Sequence, residues 1–408
     1  MTLKKSCKKP SKKISPKNKQ EEEKTVKIYL IAGEPSGDLL GARVMRYLKK
    51  KYNQKVSFFG IGGETMQAEG LVSLFDIKDL SVMGFLEVVP SIPLILKRLN
   101  ETIEDILRVN PDIVMTIDSF SYSARVHKRL KKTGFKAPHV HCVAPQVWAW
   151  KKKRAKKVSQ YMDHLFCLLP YEEKYFTPHG MKTSFIGHPV IEGGADKGNG
   201  AAFRKENNIK KDDFVLCMLP GSRKNEVAFL MKEFMLAAQM LYKENKNMMV
   251  VIPTVATVEE TLKALLKDWT VPYLLVKGEK KRYEVFAASD VAIAASGTVS
   301  LELALANVPH LIAYKVSKLT GMIAKKLLKI KYVNLINILA DKEIVPELLQ
   351  EKCTALNIVE TTKSLLSSKK QDFSMSLNQL GQNQKMTPSE KMGEELMKLA
   401  LKKGRKNA

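Results

Sequence analysis

Strand-like runs that stop at small or polar turn residues, each followed by a helical pattern, recur along the whole chain. This alternation restricts the fold more than any single motif does. The first run, "VKIYLIAGEPSGDLLGA" (26–42), carries Val26, Ile28, Tyr29, Leu30 and Ile31 into Gly33, with further glycines at Gly37 and Gly41. Comparable runs lie at 56–60, 113–117, 139–143, 164–169 and 184–186, with helical patterns at 39–51, 95–108 and 123–132. The stretch "GHPVIEGGADKGNGAA" (187–202) has the composition of a linker, and the alternation restarts beyond it. Strands are expected at 215–219, 249–253, 273–276, 291–294 and 310–314, and helices at 226–245, 258–267 and 299–306. Two such blocks predict two doubly wound α/β domains with mainly parallel sheets. A length of 408 residues also exceeds one ordinary core. The expected divisions are a disordered basic tail (1–24), an N-terminal domain (25–190) and a C-terminal domain (191–366). A polar linker, a last helix at 390–402 and a basic tail fill 367–408.

Charge narrows the partners. The formal net charge is +26, from 68 Lys and Arg against 42 Asp and Glu. Such an excess suits nucleic acid, an anionic membrane surface or a phosphorylated substrate, and equally a lysine-rich solvated surface. Cys7, Cys142, Cys167, Cys217 and Cys353 are odd in number and scattered, with no metal-binding spacing. They read as reduced thiols of a cytosolic protein, and no metal or other cofactor is expected. Residues 1–24 lack the apolar stretch of a secretory signal. No apolar run approaches the ~20 residues that span a bilayer.

In doubly wound sheets ligands bind beyond the carboxyl ends of the strands, so the turns are where chemistry is sought. The first turn has neither G-x-G-x-x-G nor a P-loop lysine, but it presents Glu34, Ser36 and Asp38. Ser36 and Asp38 equally suit capping of a helix that starts near Leu39. In "FVLCMLPGSRKNEV", Gly221 allows close approach of a ligand, Ser222 offers a hydroxyl and Arg223 a guanidinium fork at a helix mouth. A cation there opposes the helix dipole, which favours an anion site over an idle arginine. In "VAIAASGTVSLELAL", Ser296, Gly297 and Thr298 open a helix, and Glu302 follows one turn later, where a carboxylate can take both hydroxyls of a ribose. Together these turns point to a nucleotide diphosphate.

Two other stretches stand apart. In "VAPQVWAWKKKRAKKV", Trp148 and Trp150 precede six cationic side chains. That combination suits nucleic acid, a lipid interface or simple packing beside a solvated helix. "LSVMGFLEVVPSIPLILKRLN" (80–100) is strongly apolar, broken by Pro90 and Pro93, and ends in Lys97 and Arg98. It fits an interior helix or an acyl-chain and membrane contact through Val82, Met83, Phe85 and Leu86.

The collinear motifs "AGEPSGDLLGA", "GIGGETMQAEG", "LSVMGFLEV", "APQVWAWKKKR", "FIGHPV", "LPGSRKNEV", "ASGTVSLE" and "YVNLINILADKEIVPELLQ" resemble the lipid-A-disaccharide synthase family over about 26–350. The resemblance implies an inverting glycosyltransferase of GT-B architecture, two Rossmann-like domains facing across a cleft. It implies transfer of diacylglucosamine from UDP-2,3-diacylglucosamine to 2,3-diacylglucosamine 1-phosphate (lipid X), giving a β-1,6-linked disaccharide 1-phosphate and UDP. Partners would be these lipids and an anionic inner-membrane surface, met from its cytoplasmic face, with no nucleic acid. Asp118 matches the family's general base and Arg223 its phosphate-binding arginine. Ser296, Gly297, Thr298 and Glu302 match its nucleotide turn, and Asn337 an asparagine important in the family. Glu34, Ser36 and Asp38 would line the cleft opposite, and Trp148 and Trp150 would join the acyl or membrane contact. The chain departs from the pattern at Phe120 and Ser121, where a proline and a second acidic residue are usual. It departs again at Ile336 and at Asp341, which stand for a proline and a glycine. Two alternatives compete: another GT-B enzyme of UDP-sugars, such as a UDP-GlcNAc 2-epimerase, and a basic RNA-associated protein.

Overall fold

The computed structural model describes residues 25–80, 85–147, 154–295, 297–316, 331–368 and 371–404, with backbone alone for 85–91 and 403–404. Among these residues, twelve strands form two six-stranded parallel sheets. The first holds β1 (Val26–Ala32), β2 (Val56–Ile61), β3 (Ile113–Ile117), β4 (His139–Cys142), β5 (His164–Cys167) and β6 (Lys182–Phe185), in the order β2-β1-β3-β4-β5-β6. The second holds β7 (Phe214–Leu219), β8 (Met248–Thr254), β9 (Tyr273–Lys277), β10 (Val291–Ala294), β11 (His310–Tyr314) and β12 (Glu347–Leu349), in the order β12-β11-β10-β7-β8-β9.

The strand pattern explains the layering. Successive side chains of a strand point to opposite faces, so a strand covered on both sides reads as a continuous apolar run. In β1, Ile28 and Leu30 enter one core and Tyr29 and Ile31 the other. In β7, Val215, Cys217 and Leu219 face one layer and Leu216 and Met218 the opposite one. Cys142, Cys167, Cys217 and Cys353 are all buried.

Each sheet reverses its winding at one place. β1 lies between β2 and β3, and β7 lies between β8 and β10. A crevice opens at the carboxyl ends of such a strand pair, because the connections leave it in opposite directions.

Several expectations need correction. The stretch 187–202 is no slack linker: it forms 3-10 turns at Pro189–Glu192 and Ala195–Lys197, then enters the helix Gly200–Glu206. Val190, Ala195 and Phe203 bury in the second core. Its glycines serve close packing, since a Cβ at Gly198 or Gly200 would lie 1.9 Å from the Tyr283 carbonyl oxygen or 2.2 Å from that of Ala287. The helix expected at 95–108 spans Phe85–Val109 and runs through both prolines. The helices Glu279–Ala288 and Ala355–Ser367 and the strand β12 escaped the sequence analysis altogether.

The last helix, Pro388–Gly404, returns to the first sheet. Met392, Leu396, Met397 and Ala400 share a core with Val26, Leu40 and Met45. Glu394 accepts hydrogen bonds from Tyr47 (2.8 Å) and Tyr52 (3.1 Å) and pairs with Lys51 at 2.7 Å. Near the crossing, Ser389 donates to Glu192 at 2.5 Å, and Arg43 donates to the Pro189 carbonyl at 3.1 Å. Among the described residues no helix is long and apolar enough to cross a membrane.

Candidate active site

At the first crevice the turns after β1 and β3 meet. Asp118 and Ser119 both hold left-handed backbone, with φ of 56° and 41°. Such conformations cost energy in non-glycine residues and persist where neighbours dictate them. Here the Asp118 amide donates to the Cys142 carbonyl at 3.0 Å, and Ser123 Oγ donates to the Asp118 carbonyl at 2.8 Å. The Asp118 carboxylate accepts from the Ser119 amide at 2.9 Å and from the Ser36 hydroxyl. Ser119 Oγ donates to Glu34 at 3.2 Å. Gly33 permits this contact, since a Cβ there would lie 2.6 Å from Ser119 Oγ.

Burial dominates the electrostatics of this pair. It pushes the Asp118 carboxyl above its ordinary range, against the hydrogen bonds from Ser119 and Ser36. Glu34 is pushed up by burial and then by the Asp118 charge, while Ser119 and Arg223 act the other way. Arg223 belongs to the second sheet, so its charge reaches Glu34 from across the molecule. The structure thus brings Glu34, Ser36 and Asp118 together, with the Arg223 charge acting on Glu34.

Asp38 has another task. Its carboxylate is buried and accepts from the amides of Gly63 (2.7 Å), Thr65 (2.9 Å) and Met66 (3.1 Å) and from the Thr65 hydroxyl (2.5 Å). It therefore caps the neighbouring helix Glu64–Ala68. The helix that contains it begins at Pro35, and Glu34 at its cap position makes no side-chain capping bond. Capping of that helix by Ser36 or Asp38 is corrected accordingly.

The second crevice gathers the turns after β7 and β10. Gly221 has φ of 109°, and a Cβ there would lie 2.5 Å from the Glu226 carboxylate. Ser222 is exposed and its carbonyl accepts from Thr257 Oγ1 at 3.0 Å. Arg223 stands at the cap of the helix Lys224–Glu244 and pairs with Glu226 at 2.9 Å. Glu226 in that first turn answers the unfavourable placement of a cation at a helix start. It also accepts from the Tyr314 hydroxyl at 3.4 Å.

Gly297 has φ of 132° with nothing within 4 Å of where a Cβ would stand, and Thr298 begins the helix Thr298–Leu305. Glu302 on that helix pairs with Arg282 at 2.9 Å and accepts from the Tyr283 hydroxyl at 3.5 Å. Burial pushes its carboxyl up, and Arg282 chiefly opposes that. Arg282, Tyr283, Glu226 and Tyr314 were invisible to the sequence analysis, because "EKKRYEVF" reads as an ordinary charged helix and Tyr314 as the end of a strand.

Asn337 is fully buried. Its amide nitrogen donates to the Val345 carbonyl (2.7 Å) and to Glu347 (2.9 Å), and its oxygen accepts from the amides of Ile344 (2.8 Å) and Val345 (2.9 Å). Two donors and two acceptor sites are the whole capacity of a primary amide. Asn337 thus pins the 341–347 loop and β12. Asp341 ends the helix Leu335–Ala340 in a left-handed conformation, φ 50°, which a glycine adopts without strain.

Val82, Met83, Trp148, Trp150 and Ser296 lie outside the described residues, and Phe85 and Leu86 are described by helical backbone only. Among the described residues no group of three or more His, Cys, Asp or Glu side chains fits a metal ion.

A family model described as lipid-A-disaccharide synthetase matches residues 28–401. A lipid-A-disaccharide synthase from Paramagnetospirillum magneticum is 48% identical over 342 residues, 83% of this chain and 87% of that protein. One from Rickettsia conorii is 39% identical over 364 residues, 85% of this chain and 80% of that protein. Among solved structures, UDP-GlcNAc 2-epimerase from Neisseria meningitidis bound to UDP-GlcNAc aligns with a TM-score of 0.62 at 13% identity, covering 91% of this chain and 100% of that one. Acinetobacter baumannii MurG aligns with a TM-score of 0.55 at 13% identity, covering 91% and 99%. At such low identity these structures show the fold alone, which is GT-B.

Proposed function

The chain belongs to the lipid-A-disaccharide synthase family and is a glycosyltransferase, and from that premise we propose how its two crevices divide the reaction. The donor is UDP-2,3-diacylglucosamine and the acceptor is 2,3-diacylglucosamine 1-phosphate. The second crevice holds the nucleotide, with its diphosphate at Ser222, Arg223 and the 296–298 turn and its ribose at Glu302. The first crevice holds the acceptor, and Asp118 takes the proton of its 6-hydroxyl. As that oxygen bonds to the anomeric carbon from the face opposite UDP, the bond from this carbon to the phosphate oxygen breaks. Configuration inverts, and a β-1,6-linked disaccharide 1-phosphate and UDP form.

What supports this reading is that Glu34 and Asp118 share the first crevice through Ser119, while Arg223, at the turn after β7, acts on the charge of Glu34. An ionised carboxylate serves as base when the acceptor hydroxyl loses its proton late, and a guanidinium best stabilises phosphate as charge accumulates there. The protein works as a peripheral enzyme at the cytoplasmic face of an inner membrane. Supporting this, Ile92, Leu94 and Leu96 are exposed on the helix Phe85–Val109, directly before Lys97 and Arg98. Exposed apolar side chains one helical turn apart, Ile92 and Leu96, followed by the exposed cation of Lys97, suit an anionic lipid surface.

The test is Asp118→Asn. Turnover, followed by mass spectrometry of the disaccharide product, is expected to fall by roughly 100-fold or more, while UDP affinity by calorimetry stays near the wild-type value. Turnover retained in this variant would remove Asp118 from the reaction.

A further inference from the structure

Both carboxylates of the first crevice stand at its β1–β3 side. Glu34 follows β1, Asp118 follows β3, and the charge of one raises the carboxyl of the other. A phosphorylated acceptor cannot turn its anion toward them without repulsion, so its phosphate belongs on the β4 side. That side supplies a cation. The Asp118 amide is bonded to Cys142 at the end of β4, and the chain that leaves β4 brings back the helix Arg154–Val158. The Arg154 guanidinium lies 4.3 Å from the ring centre of Phe120, two residues beyond Asp118. Phe120 itself is braced edge-on by buried His141, ring centres 5.6 Å apart. Arg154 is half-buried, and among the described residues no carboxylate is paired with it. Nor is its charge spent on Asp118, whose ionisation responds to burial, Ser119 and Ser36.

We propose that Arg154, held over the ring of Phe120, recognises the phosphate of the acceptor lipid and so sets the choice of acceptor. This rests on the transferase reading above and adds a residue to it. A guanidinium seated over a ring face makes no hydrogen bond to it, so its donors stay available to fork onto two phosphate oxygens. Phe120, standing where the family usually has another residue, is here the platform that orients it.

The experiment compares two acceptors, 2,3-diacylglucosamine 1-phosphate and the same lipid without its phosphate, in wild type and in Arg154→Ala. The wild type is expected to favour the phosphorylated acceptor in kcat/KM, and Arg154→Ala to lose roughly tenfold or more of that preference. Its KM for the UDP-linked donor is expected to stay within about twofold of wild type. Arg154→Lys, which keeps the charge and loses the fork, is expected to restore part of the preference. An unchanged preference in a folded Arg154→Ala protein that still binds UDP would overturn the assignment. Absence of UDP release by the wild type with either acceptor would instead overturn the transferase reading, and the assignment with it.

Discussion

Asp118 and Glu34 carry a conflict at the scale of single residues. Both are pushed up by burial, so the fold disfavours their ionised forms, including the one that Asp118 needs as base. A carboxyl raised by folding stabilises the native state below its unfolded pKa, and that contribution is lost as pH rises through the folded one. Glu34→Gln is therefore expected to melt at a higher temperature than wild type at pH 7, with the difference vanishing under acid conditions where Glu34 is protonated in both states. Thermal melts across pH check this, and a variant that melts lower at neutral pH would contradict it. Asp38 and Asn337 lie at the other extreme, since their polar atoms are consumed by backbone amides, a hydroxyl, a carbonyl and a carboxylate. They hold turns in place and have little left to offer a ligand. Nothing in the sequence separates these two kinds of polar residue, because the distinction is made by partners 25 or more positions away for Asp38 and by a loop of irregular backbone for Asn337.

Helix Phe85–Val109 shows what an element can hide. Leu99, Ile103 and Ile106 bury against the first sheet, as their spacing requires. The preceding turns expose Ile92, Leu94 and Leu96, although each proline there removes an amide donor from the helix. Apolar side chains that solvent already touches contribute little to stability, so the proposed membrane contact is testable at them without unfolding the protein. Ile92→Ser with Leu96→Ser is expected to cut binding to phosphatidylglycerol vesicles by roughly tenfold while the melting temperature hardly moves. A co-sedimentation assay reads the first and calorimetry the second. Undiminished vesicle binding would place the membrane contact elsewhere.

Over the whole molecule, the two halves are tied by a helix whose destination its own sequence conceals. Pro388–Gly404 has the pattern of any amphipathic helix, yet it buries Met392, Leu396 and Met397 in the core built on β1. At roughly 1.5–3 kcal/mol for each large side chain, these three contribute about 5–9 kcal/mol, comparable with the total stability of a typical domain. Removal of 388–408 is expected to leave the first sheet unfolded or aggregated, read by limited proteolysis and circular dichroism. A truncated chain that melts like the full one would show that this packing is dispensable.

The alternation of strand and helix determined the α/β class, eleven of the twelve strands among the described residues, and the turns at which Glu34, Asp118, Arg223 and Thr298 stand. Those features are legible because periodicity and turn chemistry are local, set by steric and solvation preferences within a few residues. Tertiary structure alone decided the rest. It made β1 and β7 the strands of reversal, sent the Gly-rich stretch 187–202 into the second core, returned the last helix to the first sheet and laid Arg154 on Phe120. Each of these depends on which distant surfaces exclude water together, and apolar surface carries no label of its partner in the order of residues.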